Sequence, residues 1–235
     1  MPRLYAFALA LLVMGLAAGG QHFYAFYYDR SGGQDLEINL LNTMPDPAQI
    51  MLRAYDAYGK PLWTASDTLA GYTGGFVQLS RYIPEAAEHW GVVTVESGER
   101  LVIALEYLVD GELASVDHVS QEVPELTADE PYWLGAYYSQ VGDASTGLVV
   151  MNPWDEAVAC AITVYRQDRT VVYEAELFLN PHESEYYSLE KILGHGPYLW
   201  GLVDIRMVGK AVVVAVAVEY YGRGLRVDNI TQYYF

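Results

Sequence analysis

The sequence predicts an all-β protein made of two tandem β-sandwich domains of immunoglobulin-like type, produced by an internal duplication. Three observations carry this expectation. Apolar residues alternate with period two along most of the chain. The second half repeats the first at a nearly constant offset. Turn residues interrupt the apolar runs at strand-length intervals.

The chain begins with a segment that reads as a signal peptide over residues 1–20. Met1, Pro2 and Arg3 give a positive start, Leu4 to Ala18 is apolar, and Ala18, Gly19 and Gly20 supply the small residues a signal peptidase requires. Cleavage is expected before Gln21. The run is short for a spanning helix, which needs about 20 residues, so no membrane span is expected after cleavage. No Cys stands at the end of the run, which excludes lipid attachment there. The expected location is secreted, periplasmic or cell-surface.

Residues 21–123 and 132–235 are the two copies, joined by a linker over 124–131. An offset of 110 positions places Tyr27 and Tyr28 on Tyr137 and Tyr138, Asn42 on Asn152, Tyr55 on Tyr165, and Trp90-Gly91 on Trp200-Gly201. After one extra residue in the second copy the offset becomes 111, and Gly98, Gly111, Asp117 and Gln121 meet Gly209, Gly222, Asp228 and Gln232. Ser120 likewise meets Thr231. Two rare Trp residues in register make chance a poor explanation. The linker is acidic and holds Pro124 and Pro131, which favour a semi-rigid joint.

Within each copy, the facing of apolar residues is preserved. Leu36, Ile38 and Leu40 alternate with Glu37 and Asn39. Ile50, Leu52 and Ala54 share one face, as do Cys160, Ile162 and Val164 at the equivalent positions. Val93 and Val95 lie opposite Thr94; Val203 and Ile205 lie opposite Asp204. Two runs, Leu101 to Leu105 and Ala211 to Val218, are apolar on both faces, as expected of strands covered on both sides or meeting the partner unit. Turn chemistry marks the gaps at Asn42 to Pro47, Tyr58 to Pro61, Asp110-Gly111 and Asn180-Pro181. Before each Trp-Gly pair, Leu79 to His89 and Leu189 to Leu199 break the period and predict a short helical turn. Trp90 and Trp200 are then expected to plug one end of each core; an exposed ligand-stacking Trp is the alternative.

Val149 to Glu156, Ala161-Ile162-Thr163-Val164-Tyr165, Leu177 to Pro181, Leu189 and Val203-Asp204-Ile205 together resemble the soluble transducer of bacterial sensory rhodopsin and related small β-sandwich modules. The resemblance implies a β-sandwich used for interaction and oligomerisation. The leader and the duplication depart from that family, so only the fold is carried over.

Sites of chemistry are sparse. His182, Glu183, Glu185 and His195 could converge on an ion, but no His-x-x-x-His, Cys-x-x-Cys or dense Asp loop exists. Tyr72 and Thr73 replace His182 and Glu183 in the first copy. Cys160, the single cysteine, falls on an inward face where a thiol is inert, and it permits no intrachain disulfide. There is no Gly-x-Ser-x-Gly elbow, Walker loop or dinucleotide fingerprint. The expectation is therefore no catalytic, cofactor-binding or metal-binding residue, and no cofactor.

The chain carries 13 Lys+Arg against 30 Asp+Glu, a net charge of −17 that repels phosphate backbones and argues against nucleic acid as a partner. Its 21 Tyr residues suit strand faces and interfaces. The Tyr27-Tyr28 and Tyr137-Tyr138 pairs are candidates to line an interface between units or subunits. These features together predict an exported, non-catalytic binding, adhesion or structural module of the cell envelope, with a protein or glycan partner and self-assembly in view. One alternative is an accessory carbohydrate-active enzyme with a carboxylate pair in the cleft between domains, since sequence gives no distances between acids. Another is an outer-membrane β-barrel, since the closing segment Thr231 to Phe235 has a terminal Phe235 and alternates Tyr233 with it, which resembles the last strand of such barrels.

Overall fold

The computed structural model describes residues 22–119, 122–127, 129, 131–194, 196, 199–220 and 224–230. The leader 1–20, His195, the equivalences at Ser120, Gln121 and Gly222, and the closing Thr231 to Phe235 lie outside the described residues.

Unit 1 contains β1 (His22–Asp29), β2 (Gln34–Asn42), β3 (Ala48–Tyr55), β4 (Pro61–Leu69), β5 (Gly74–Gln78), β6 (Trp90–Ser97), β7 (Leu101–Val109) and β8 (Glu112–Val119). Unit 2 contains β9 (Pro131–Ser139), β10 (Ala144–Met151), β11 (Val158–Arg166), β12 (Val171–Leu179), β13 (Ser184–Ser188), β14 (Trp200–Val208), β15 (Val213–Tyr220) and β16 (Gly224–Ile230). The predicted helical turns are a 3-10 turn at Leu79–Arg81 and α1 at Leu189–Leu193, the latter capped by Ser188.

The strands form four antiparallel four-stranded sheets: β1-β6-β3-β4 and β5-β2-β7-β8 in unit 1, β9-β14-β11-β12 and β13-β10-β15-β16 in unit 2. The orders are the same once eight strands are added to each label. The registers match too. Tyr28 lies opposite Gly91 as Tyr138 lies opposite Gly201, and Ile38 lies opposite Leu105 as Leu148 lies opposite Val216. Both copies break register at the same place, Ala54/Tyr55 and Val164/Tyr165. The extra residue of the second copy falls where β14 runs one residue longer before the turn into β15. All four sheets are open, each with two edge strands. This overturns the barrel alternative, because a barrel must close its first strand on its last. Among the described residues no helix is long and apolar enough to cross a membrane.

Period-two alternation fills the space between paired sheets. Tyr24, Phe26 and Tyr28 from β1 meet Leu36, Ile38 and Leu40 from β2, with Leu52, Val93, Val95, Ile103 and Leu105 around them, all buried. Each such side chain contributes about 1.5–3 kcal/mol on leaving water. Burial must carry stability here because no cross-link is available. The buried residues of both units form one contiguous core.

Two expectations are corrected. Of the runs apolar on both faces, the second is covered on both: Ala211 to Ala215 are all fully buried. The first is not, and Val102 is 39% exposed. The reason is the relative placement of the units, described below. The Trp residues do not plug the cores. Trp90 lies opposite Asp29 on the outer face of its sheet, and Trp200 is 42% exposed. The inward residue is the glycine that follows. A Cβ on Gly91 would sit 2.6 Å from the Tyr55 carbonyl oxygen, and one on Gly201 1.9 Å from that of Tyr165. The Trp-Gly repeat thus records a close strand crossing.

The repeated asparagine has an equally local cause. Asn42 is fully buried and its Nδ2 donates to the carbonyls of Asp46, Leu69 and Ala70, while its Oδ1 accepts from Met44 N–H. Asn152 repeats this with Glu156, Leu179, Asn180 and Trp154. The amide locks the turn after β2 or β10 to the end of β4 or β12. Asn42→Ala or Asn152→Ala is expected to cost about 2–3 kcal/mol, because buried backbone groups lose their partner. Urea unfolding followed by Trp fluorescence measures this; an unmoved midpoint would show that the turns hold without the amide.

Candidate functional site

The candidate site is the seam between the units, together with the matching faces that the seam leaves open. It begins with β1. Among the described strands it pairs with β6 alone; at its other edge the Phe23 carbonyl accepts from Val123 N–H at 2.8 Å, and Tyr24 to Asp29 are buried on both faces. One face, Tyr24, Phe26 and Tyr28, fills the unit 1 core. The other, Phe23, Ala25 and Tyr27, lies against unit 2, where β1 packs on β15. Val149, Met151, Val213 and Ala215, the outer face of the unit 2 sheet, are buried in return. Tyr27, Val149, Ala217 and Leu225 border one shared crevice.

A polar node closes the β1 edge. Tyr27 N–H donates to Asn229 Oδ1 at 2.8 Å, and Tyr107 O–H donates to the Tyr27 carbonyl at 2.9 Å. Asn229 Nδ2 donates to Tyr107 Oη at 2.8 Å and to Asp117 Oδ2 at 2.9 Å. Asn229 N–H reaches the same Asp117 oxygen at 2.9 Å. Burial raises the pKa of both Tyr27 and Tyr107 well above the ordinary phenol range. Both therefore stay neutral donors. Beside the node, Ser115 Oγ bonds both the N–H and the carbonyl of Val227 in β16.

The far end of the seam is aromatic and ionic. Tyr55 stacks on His182 with ring centroids 3.7 Å apart, and Phe23 meets Trp154 at 4.9 Å. His182 Nε2 lies 2.8 Å from Asp155 Oδ1. Trp154 Nε1 donates to the Ala211 carbonyl at 2.6 Å, under the Lys210 ammonium. Arg53 and Glu96 form an ion pair. Ser184 N–H donates to the Ala57 carbonyl at 3.0 Å, and Tyr58 pairs with Glu183 as an isolated bridge. Gly59, at φ +80°, is forced to be glycine by the partner unit: a Cβ there would lie 2.2 Å from the Pro181 carbonyl. The equivalent Arg169 keeps the turn, at φ +68°, but carries a full side chain because no unit presses on it.

The cleft between the units is thus a crevice of about 210 Å³ lined by three acids, Glu96, Glu125 and Asp155. Glu96 faces Arg53, and Asp155 faces His182 with its carboxylate 96% exposed. The predicted ion-binding candidates separate. Glu183 Oε2 accepts from Asn180 N–H and Nδ2, both at 2.8 Å, and Glu185 is exposed on β13, two residues on. Among the described residues, no group of three or more His, Cys, Asp or Glu is placed to hold a metal. Cys160 is buried in the unit 2 core, and burial pushes its thiol up to about 12.

The tyrosine pairs split. Tyr28 and Tyr138 are both core residues. Tyr27 is 7% exposed in the seam, whereas Tyr137 is 60% exposed. Tyr137 lies 6.3 Å from the Trp200 ring, in an open depression of about 490 Å³ flanked by Leu202, Arg166 and Arg169. The sequence reading did not single out Asn229, Tyr107 or Trp154. The usable signal lay where the copies differ: His118 stands for Asn229, Val218 for Tyr107, and Met44 for Trp154.

No family model matches the sequence, and no curated protein does. Solved structures with some likeness include a β-glucuronidase of glycoside hydrolase family 2, 9% identical over 89% of this chain and 23% of that one, with a TM-score of 0.21. A glycosyl hydrolase family 2 member from Bacteroides cellulosilyticus is 9% identical over 90% and 28%, with a TM-score of 0.21. A Bacteroides uniformis β-glucuronidase is 13% identical over 89% and 25%, with a TM-score of 0.19. The chain spans about a quarter of the length of these enzymes, and superpositions this loose carry no argument about what it does.

Asn229→Leu removes the amide from the node, strands Tyr27 N–H, and takes one donor each from the Tyr107 hydroxyl oxygen and the Asp117 carboxylate. The expected loss is about 3 kcal/mol, with the units unfolding at separate urea midpoints. Two coincident transitions at the wild-type midpoint would refute this role. Cys160 should resist iodoacetamide at about pH 8 in the folded protein and react on unfolding, because only the thiolate attacks. Mass spectrometry reads both states.

Proposed function

We propose that the protein is an exported, non-catalytic module of the cell envelope that works through its sheet faces. The observation that carries this is the outer face of β9-β14, where Tyr137, Trp200 and Leu202 stand exposed on strands held rigid from behind. Aromatic side chains on a rigid sheet make contact area at low entropic cost.

The accessory glycosidase reading has less support. A general acid needs a dry site that keeps a carboxyl protonated, opposite a second free carboxylate. Glu96 is paired with Arg53, and Asp155 stands in water against His182. Export rests on the apolar segment Leu4 to Ala18 and its small-residue end.

Two measurements test this. Expressed with its own leader, the protein should leave the cytoplasm with a mass that begins at Gln21; retention at full mass would count against export. The purified protein should not release nitrophenol from a panel of aryl glycosides. Turnover that Glu96→Gln or Asp155→Asn removes would overturn the non-catalytic reading.

A further inference from the structure

The seam joins two different surfaces. Unit 1 contributes the outer face of β1-β6-β3 and strand β8, and unit 2 contributes the outer face of β10-β15 with β16, which meets β8. Because the units are copies, each surface exists twice and each broad face is used once, while the equivalent strands β8 and β16 are both engaged, with each other. One of each remains open: the β9-β14-β11 face of unit 2 and the β2-β7 face of unit 1. We propose that a second copy of this chain covers them, the β9-β14-β11 face of one molecule seating on the β2-β7 face of the next. This deepens the reading of a module that works through its faces, and rests on it.

The open faces have kept their contact chemistry. Tyr137, Trp200 and Leu202 stand where Tyr27, Trp90 and Val92 stand in the seam, and the first three are exposed while Val92 is fully buried. On the other side, Leu41, Val102 and Phe76 are exposed where Met151 and Val213 are buried and Tyr186 flanks the seam. They border an open depression of about 430 Å³. This is also why Leu101 to Leu105 is apolar on both faces although only one is covered. An exposed face that stays apolar marks an interaction surface.

The paired contacts of the seam also translate into workable pairs. Phe23 against Trp154 becomes Trp133 against Met44, both exposed. Tyr55 stacked on His182 becomes Tyr165 facing Tyr72, and Tyr72 shares the φ of +59° that His182 has. Gly59 under Pro181 becomes Arg169 over Gly71, so the bulk moves to the opposite partner. Gly147 and Ala217 beside Tyr27 become Glu37 and Glu106, two acceptors for the Tyr137 hydroxyl. Arg166 and Arg169 flank the face that receives these acids. The seat between molecules is more polar than the seam within one. Association is therefore weaker than the internal seam, reversible and sensitive to salt. The two faces differ, so the contact is head-to-tail and does not close at two copies.

Sedimentation velocity of the full-length mature chain over a range of concentrations tests this. The expected result is a mean mass that rises beyond the dimer as concentration increases and falls with added salt. Tyr137→Glu places a third carboxylate against Glu37 and Glu106, and Val102→Glu spoils the other face. Each variant alone should stay monomeric at every concentration. Mixed, they should form heterodimers and stop there, because each keeps one intact face. Protection of Cys160 from alkylation confirms that unit 2 is folded in each variant, and an unmoved urea midpoint by Trp fluorescence confirms the same of unit 1. A wild-type chain that stays monomeric overturns the stacking, as does growth that survives either variant or a mixture that gives no heterodimer. A dimer lost in Tyr137→Glu but kept in Val102→Glu would also overturn it, because that pattern belongs to a symmetric contact. Failure of stacking without glycoside turnover would leave the non-catalytic reading standing. Turnover removed by Asp155→Asn would sink that reading whatever the assembly state.

Discussion

Much of the molecule depends on how one edge strand is buried. Among the described strands β1 has β6 alone for a ladder partner, yet both its faces and its open edge are out of water at Tyr27. An unpaired edge N–H and carbonyl in that setting would cost a kilocalorie or more each. Asn229 and Tyr107 supply the missing partners, and Asp117 holds Asn229 in place. Asn229 comes from the last described strand of the chain. The first strand and the last thus complete each other, and the two units share one core. Open edges are usually protected by charge or by cover; here the cover is the other unit.

Duplication explains why this protection is lopsided. A copied sandwich brings both surfaces of the seam twice, and a chain of two units can satisfy only one pairing. The copies differ at single seam positions and stay alike where the core acts. Asn42 and Asn152 still tie the same carbonyls, and Gly91 and Gly201 still pass under the same tyrosine carbonyl. Gly59 and Arg169 have parted, although their backbones have not.

With no disulfide, two unequal classes of contact hold the structure. The cores contribute through area. The seam contributes less area but fixes orientation, through directional bonds that a slip of one residue would break. The acidic surface adds nothing to this. Its charge lies mostly outside the seam, where like charges are screened by water and salt.

The sequence by itself determined the units, their number, the strand facing and most of the core, because alternation and the offset are local properties of the chain. Even the outward aim of Trp90 and Trp200 was legible, since each is an odd number of positions from the inward Val93 or Val203. The candidate site was only half legible. The Tyr27-Tyr28 and Tyr137-Tyr138 pairs announced an interface residue, but the same tyrosine is hidden in one copy and exposed in the other. Nothing near Tyr137 in the chain distinguishes it from Tyr27. The difference lies in which copy has a neighbour against its outer face, set by contacts about two hundred positions apart, such as Tyr27 with Asn229. Only the tertiary structure decides that, because a surface becomes an interface through what is packed on it.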